Sequence, residues 1–310
     1  MTPTTPPAPP VFLPLTGVYE PSAIQQLADG RFLLVEDEKG HPFSLVTLDP
    51  DGSVGSIPLG TESTTGDDDL GKLDDLEGLA CDRAGHIYAI TSHSRDGDGE
   101  EKKSRHKLVR FDIQGERVAT PRKITDLKSA LTSAHPVLAA AAQVLDVKAQ
   151  GGLNIEALEI TPDQQRLLLG FRSPLQEGRA IIASIENPDA LFDSGEPPRI
   201  ADELITLDLG GHGLRGMSHL PALGGYLLIS GPVSKEQSQF RLWFWDGQAH
   251  IPARRVTVPG LPGFEHAEGI SPAIIHGRPY IILVSDDGSR KEQRHARYLL
   301  LEPGQLLLEP

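Results

Sequence analysis

Four glutamates and one arginine stand at the same point of a recurring sequence unit: Glu20, Glu77, Glu156, Arg215 and Glu268. Each opens a stretch of a small residue, an apolar strand-like run, a turn and a second, more apolar run. Carboxylates gathered at one place raise one another's pKa values, and buried charges need partners. Three remedies exist: protons, Arg215 as an internal counter-ion, or a bound cation. Ligands that are all oxygen favour a hard ion, and flexible mixed geometry favours calcium over magnesium. Glu20, Glu77, Glu156 and Glu268 are therefore the candidate metal ligands, with Ca2+ as the candidate ion. Arg172 and Arg215 are the candidate groups for neutralising charge on a phosphoryl or carboxylate group beside such an ion. His93 and Asp286, at the ends of second runs, are the candidate proton shuttles. The competing structural reading is that acids at strand starts bind only channel water and neighbouring backbone amides, because ion-pair networks imitate functional sites.

Convergence of residues so far apart requires a closed repeat. The five copies begin at intervals of 57, 79, 59 and 53 residues. The long interval contains apolar residues three or four apart (Leu127, Ala130, Leu131, Ala134, Leu138, Ala141, Leu145), which predicts a helical insert near 126–148 divided at Pro136. Two further strand-like runs follow in each of the first four copies, such as 43–48 with 53–59 and 240–245 with 254–258. The fifth copy lacks its outer run, which 11–15 can supply. Four antiparallel strands per unit, closed by one terminal strand, describe an all-β fold, a five-bladed β-propeller. A six-bladed closure using 305–308 is the alternative. In a propeller the start of each first strand and the end of each second strand share one face. That places Glu36/Asp37, Ser92/His93, Arg172/Ser173, Ser230 and Asp286/Asp287 beside the first set. The acidic loop residues Asp67, Asp68, Asp69, Asp74 and Asp75 add negative potential at this mouth, and Arg290 adds positive charge.

Composition limits the partners. The 310-residue chain carries a formal charge of −14, against the clustered Lys and Arg that nucleic-acid phosphates require. No apolar run is long enough to span a bilayer. The single cysteine, Cys81, excludes a disulfide framework and a multi-cysteine zinc cluster. Residues 1–10 are Thr/Pro-rich and lack the features of a secretory signal, so a disordered tail is expected there, followed by one propeller domain over 11–310. A cytoplasmic protein with neither nucleic-acid nor membrane partners follows from these features, with its oligomeric state left open. Gly211-His-Gly213-Leu-Arg-Gly216 matches GxGxxG, but the strand and turn that follow it are not those of a dinucleotide fold. Trp243 and Trp245, two apart on one strand, read as packing between blades.

Four segments carry a resemblance: Asn154-Ile-Glu-Ala-Leu, Gly170-Phe-Arg-Ser-Pro-Leu175, Gly213-Leu-Arg-Gly-Met217 and Val284-Ser-Asp-Asp-Gly288. They resemble a bacterial β-propeller family of unknown function with the pattern NIEGL, GLRSPL, LGIRSL and SDDG. That family is similar to the phytase-like (esterase-like) and SdiA-regulated propellers. The resemblance implies a propeller fold and calcium-assisted phosphoester chemistry, and Ala157 departs from its pattern where Gly is more usual. The expected function is a calcium-dependent hydrolase of a phosphoester or similar anion at the channel mouth. Two alternatives are a non-catalytic propeller that binds a small anion or a protein partner, and a calcium-dependent lactonase.

Overall fold

The computed structural model describes residues 9–36, 42–49, 52–61, 70, 72–233, 239–264 and 266–309. A two-residue strand, β1 (Leu13–Pro14), precedes blade 1, which comprises β2 (Pro21–Gln26), β3 (Phe32–Glu36), β4 (Phe43–Leu48) and β5 (Val54–Pro58). Blade 2 comprises β6 (Leu76–Cys81), β7 (Ile87–Thr91), β8 (Leu108–Gln114) and β9 (Arg117–Ile124). The helical insert follows as α1 (Leu127–Ala134), α2 (Pro136–Ala142) and the single turn α3 (Val147–Gln150). Blade 3 comprises β10 (Asn154–Ile160), β11 (Leu167–Ser173), β12 (Ala180–Ile185) and β13 (Ile205–Leu207). Blade 4 comprises β14 (Gly213–Leu220), β15 (Gly225–Gly231), β16 (Arg241–Trp245) and β17 (Arg254–Thr257). Blade 5 takes β18 (Ala267–Ile275), β19 (Arg278–Ser285) and β20 (Arg297–Leu301), and β1 completes it by pairing Leu13 with Tyr298 and Pro14 with Arg297.

All strand pairs within the blades are antiparallel, and the blades form a five-bladed β-propeller closed by the N-terminal strand. The inner strands contact one another in the cycle β2, β6, β10, β14, β18 and back to β2, so the ring closes at five. The six-bladed alternative fails at 305–308. There β21 (Leu307–Leu308) adds a fifth strand to the outside of blade 4, pairing with Val256 and Thr257.

Successive side chains of a strand point to opposite faces, so each central strand must satisfy two cores. In β15, Leu227 and Ile229 pack towards blade 5, while Tyr226 and Leu228 pack towards blade 3. In β3, Leu33 and Val35 face blade 2, and Phe32 and Leu34 face blade 5. Second strands therefore read as unbroken apolar runs. Five cores result, one between each adjacent pair of blades, and each fully buried Leu, Ile or Val contributes about 1.5–3 kcal/mol. Trp245 is buried in the core between blades 3 and 4, with Trp243 packed against it.

The insert forms where the period-3.6 pattern places it, and Pro136 opens α2 as its first residue. Leu127, Leu131, Leu138 and Ala141 join the core between blades 2 and 3. Leu145 departs from the expected apolar face. It lies in the link before α3, 62% exposed. Asp37, Asp67, Asp68, Asp69 and residues 1–8 lie outside the described residues.

Candidate active site

Every inner strand carries a β-bulge near its start. The residue skipped by the ladder is Ser22 in β2, Glu77 in β6, Glu156 in β10, Arg215 in β14 and Glu268 in β18. A bulged residue has no cross-strand partner and its side chain is re-aimed, here at the common axis. The residue after it is always small, because the next blade lies against it. A Cβ on Gly216 would stand 2.1 Å from the Glu268 carbonyl oxygen, and one on Gly78 would stand 2.8 Å from the Leu158 Cβ. At Gly269 the corresponding clash is 2.9 Å from the Ile24 backbone nitrogen. The recurring polar, small, apolar signature is thus a packing requirement at the narrowest part of the ring.

One sequence expectation is corrected by this register. Glu20 is not a ring member; it precedes β2 and is exposed, and Ser22 holds the blade 1 position. Aligning the units on glutamate shifted blade 1 by two residues. Ala23, equivalent to Gly78, Ala157, Gly216 and Gly269, is the signal that locates Ser22 correctly.

The remaining ring residues are brought together around Arg215. Its Nη1 lies 2.7 Å from Glu268 Oε1 and 3.0 Å from Glu156 Oε2. Arg172 is the extra residue of a second bulge, on β11, and its Nη1 lies 3.2 Å from Glu156 Oε1. Both guanidinium groups donate to the Pro232 carbonyl, Arg172 through Nε at 3.1 Å and Arg215 through Nη2 at 3.3 Å. Asn154 Nδ2 donates to Glu156 Oε1 at 2.8 Å, and the Phe240 ring covers the Arg215 guanidinium. Asn154, Pro232 and Phe240 carry no repeat signal and were not expected in the site, although Asn154 opens one of the segments that carry the family resemblance.

Glu77 differs from the other two glutamates. Among the described residues it has no hydrogen-bond or ion-pair partner, and it is half-buried where they are buried. Loss of water around it, then the charges of Glu156, Asp75 and Glu268, hold its carboxyl well above the usual range. Glu268 is pushed up to about 8, chiefly by burial, with Asp286 and Glu156 adding to the rise and Arg215 opposing it. Burial works against the Arg215 charge, but Glu156, Glu268, Glu77 and Asp286 outweigh it and raise its pKa further. Asp286 therefore belongs to this cluster. Its backbone N–H donates to the His266 carbonyl at 2.7 Å.

Other expected members stand apart. His93 is fully buried, its Nδ1–H donating to the Thr91 carbonyl at 2.8 Å and its ring stacked on His106. Burial pulls its pKa down to about 3, so it is neutral and faces His106 and Lys128 rather than the carboxylates. Asp74 and Asp75 both pair with Arg105, at 3.4 and 2.8 Å. Arg290 lies over the Tyr19 ring, 4.3 Å from its centroid. The serines at the ends of second strands have local partners. Ser173 Oγ donates to the Gly152 carbonyl, Ser230 Oγ accepts from Trp243 Nε1 at 2.9 Å, and Ser285 Oγ donates to Asp287 Oδ1 at 2.6 Å.

Calcium, which the family resemblance implies, does not fit these residues as a resident ion. The guanidinium of Arg215 already lies between Glu156 and Glu268, and Glu20 is elsewhere. Among the described residues, no group of three or more His, Cys, Asp or Glu side chains is placed to hold a metal.

Residues 114–301 match a family described as protein of unknown function (DUF3616), a span of more than half the chain. The chain belongs to this family. The DUF3616 match takes in Glu156, Arg172, Arg215, Glu268 and Asp286 and begins after Ser22, Glu77 and His93. No curated protein matches the chain. Solved structures similar in fold include a putative oxidoreductase (glucose dehydrogenase) from Thermus thermophilus, at 15% identity and a TM-score of 0.47, covering 94% of this chain and 100% of that one. Another is the PQQ-bound aldose sugar dehydrogenase from Streptomyces coelicolor, at 16% identity and a TM-score of 0.45, covering 98% and 100%. A third is the Trypanosoma rangeli sialidase, at 10% identity and a TM-score of 0.45, covering 93% of this chain and 54% of that one.

Proposed function

We propose that the channel mouth hydrolyses a small anionic ester, with Glu77 as proton donor and Arg172 as the contact that neutralises its charge. The observation that carries this is the unpartnered, half-buried Glu77 carboxyl, whose pKa is held well above the usual range by loss of water and then by the neighbouring carboxylates. A carboxyl with a raised pKa is suited to general-acid work near neutral pH. In the phosphoester case water attacks phosphorus and the ester P–O bond breaks. The leaving oxygen takes the Glu77 proton, and Asp286 accepts the proton of the attacking water. Arg172 is partly exposed and retains donors beyond its bonds to Glu156 and Pro232. The phytase-like resemblance supports the phosphoester class. Residues 11–310 serve here as one domain, in the cytoplasm of a bacterial cell. No helix among the described residues is long and apolar enough to cross a membrane.

The test is a panel of phosphomonoesters, phosphodiesters, nucleotides, phytate and lactones, assayed with EDTA and with calcium. Turnover in EDTA, lowered about 100-fold or more by Glu77→Gln, is expected of a lost general acid. Failure to turn over any member of the panel refutes the reading. Turnover confined to lactones with added calcium would instead select the lactonase.

The second reading is a non-catalytic site for a small anion or a protein partner. Arg215, held between two carboxylates, favours it, because that arrangement resembles a structural ion-pair cluster. Binding of a panel member without turnover, unchanged in Glu77→Gln, would distinguish it.

A further inference from the structure

We infer that the cleft between the blade 2 hairpin and the insert helices binds a small anion that also carries hydroxyl groups, such as a phosphorylated or carboxylated polyol. The cleft has a volume of about 550 Å³, and its lining includes Glu101, His106, Lys128, Ser129, Ser133 and Gln143. It exists because of the residues that interrupt the regular blade repeat, and closure of the ring does not require them. Long additions to a regular scaffold are often functional.

The floor of the cleft is a compact charged group. Lys128 Nζ donates to both Glu101 oxygens, at 2.8 and 3.0 Å, and lies 3.3 Å from His106 Nε2. Arg95 Nη2 reaches Glu101 Oε1 at 3.1 Å. Two cations thus share one carboxylate, with His106 held towards its neutral form by burial and by Lys128. Neutral His93 stacks behind His106 and adds no charge. The excess is one positive charge, in a protein whose formal total is −14.

The cations are well covered, with side-chain exposures of 17% for Arg95 and 13% for Lys128, whereas Glu101 is 40% exposed. Glu101 is the member that an incoming anion can displace. The charge-assisted bonds from Lys128, which lines the cleft, would then pass to the ligand, while Arg95, outside the lining and donating to the Ala142 and Gly99 carbonyls, contributes its charge. On the walls, the Ser129 and Ser133 hydroxyls and the Gln143 amide have no protein partner among the described residues. A pocket with a well-covered lysine and several uncommitted polar groups suits a hydroxylated anion better than a bare one.

The test is calorimetric titration of the full chain with inorganic phosphate, gluconate and sorbitol. Gluconate is expected to bind at one site, phosphate more weakly, and sorbitol not at all. Lys128→Met should weaken gluconate at least tenfold. Glu101→Gln, which removes the competing carboxylate and keeps its shape, should tighten gluconate several-fold. Absence of binding by both anions overturns the inference, as does equal binding of sorbitol. Gluconate affinity that responds to Arg172→Met but not to Lys128→Met or Glu101→Gln places the anion in the ring instead, and also overturns it.

Discussion

Replacing Arg215 by methionine tests whether a guanidinium does in this propeller what a channel ion would otherwise do. Methionine keeps most of the apolar stem beneath Phe240 but leaves Glu156 and Glu268 without their shared counter-ion. Removing one partner of a buried ion pair costs about 3–5 kcal/mol, because the other charge stays buried. A chain of this length unfolds with an entropy of about 0.65 kcal/mol per degree, so Tm should fall by about 5–8 °C at pH 8. Without Arg215 the Glu268 pKa, already about 8 with that counter-ion present, rises further, so the deficit should grow above pH 8 and level off below about pH 7. The variant's vacated ring then offers carboxylates to a hard cation. Calcium at a hundred times its Kd would restore about 2.7 kcal/mol, or about 4 °C. Scanning calorimetry of both proteins in EDTA and in calcium is the assay. A variant as stable as the parent at pH 8 refutes the reasoning. So does a parent whose Tm rises with calcium as much as the variant's.

Gly216→Val should separate blades 4 and 5, since even a Cβ there meets the Glu268 carbonyl at 2.1 Å; a loss of more than about 3 kcal/mol is expected by denaturant unfolding. Between pH 6.5 and 8 the folded protein keeps a proton on Glu268 that the unfolded chain has released. Stability should therefore fall by about 2 kcal/mol as pH rises through that window, and Glu268→Gln should flatten the slope in calorimetry. Below pH 6.5 the sign reverses for His93, whose folded value near 3 means that the unfolded chain binds the extra proton; His93→Gln should remove that part of the acid sensitivity. Deleting residues 1–15 removes β1 and the buried Leu15, exposes the edge of β20, and should lower Tm and promote association visible by light scattering.

The architecture was legible because a propeller repeats its constraints. Each blade must present the same alternation to two cores and the same small residue to the next inner strand, so five copies of the pattern reinforce one another. The insert declared itself by a change of period from two to 3.6. The N-terminal closure was legible as a deficit: blade 5 lacked an outer run, and 11–15 had one to give. The short strand at Leu307–Leu308 was not, since an added outer strand answers to no repeat and obeys only local pairing with β17.

The site was legible as a set of positions and much less as a set of roles. Which residue occupies a ring position follows from the repeat, but what it does there depends on neighbours the repeat does not specify. Glu156 and Glu268 lose their freedom to Arg215, one blade from each, while Glu77 keeps its own because Ser22 and Arg215 leave it without a donor of its own. His93 illustrates the same limit from the other side. Its sequence position is at the mouth, yet its Nδ1–H is committed to the Thr91 carbonyl and its ring to His106. The difference between a ligand cage and an ion-pair cluster therefore rests on one substitution in five equivalent places. Arginine at position 215 supplies as a side chain the positive charge that Glu77, Glu156 and Glu268 would otherwise have to obtain from solution.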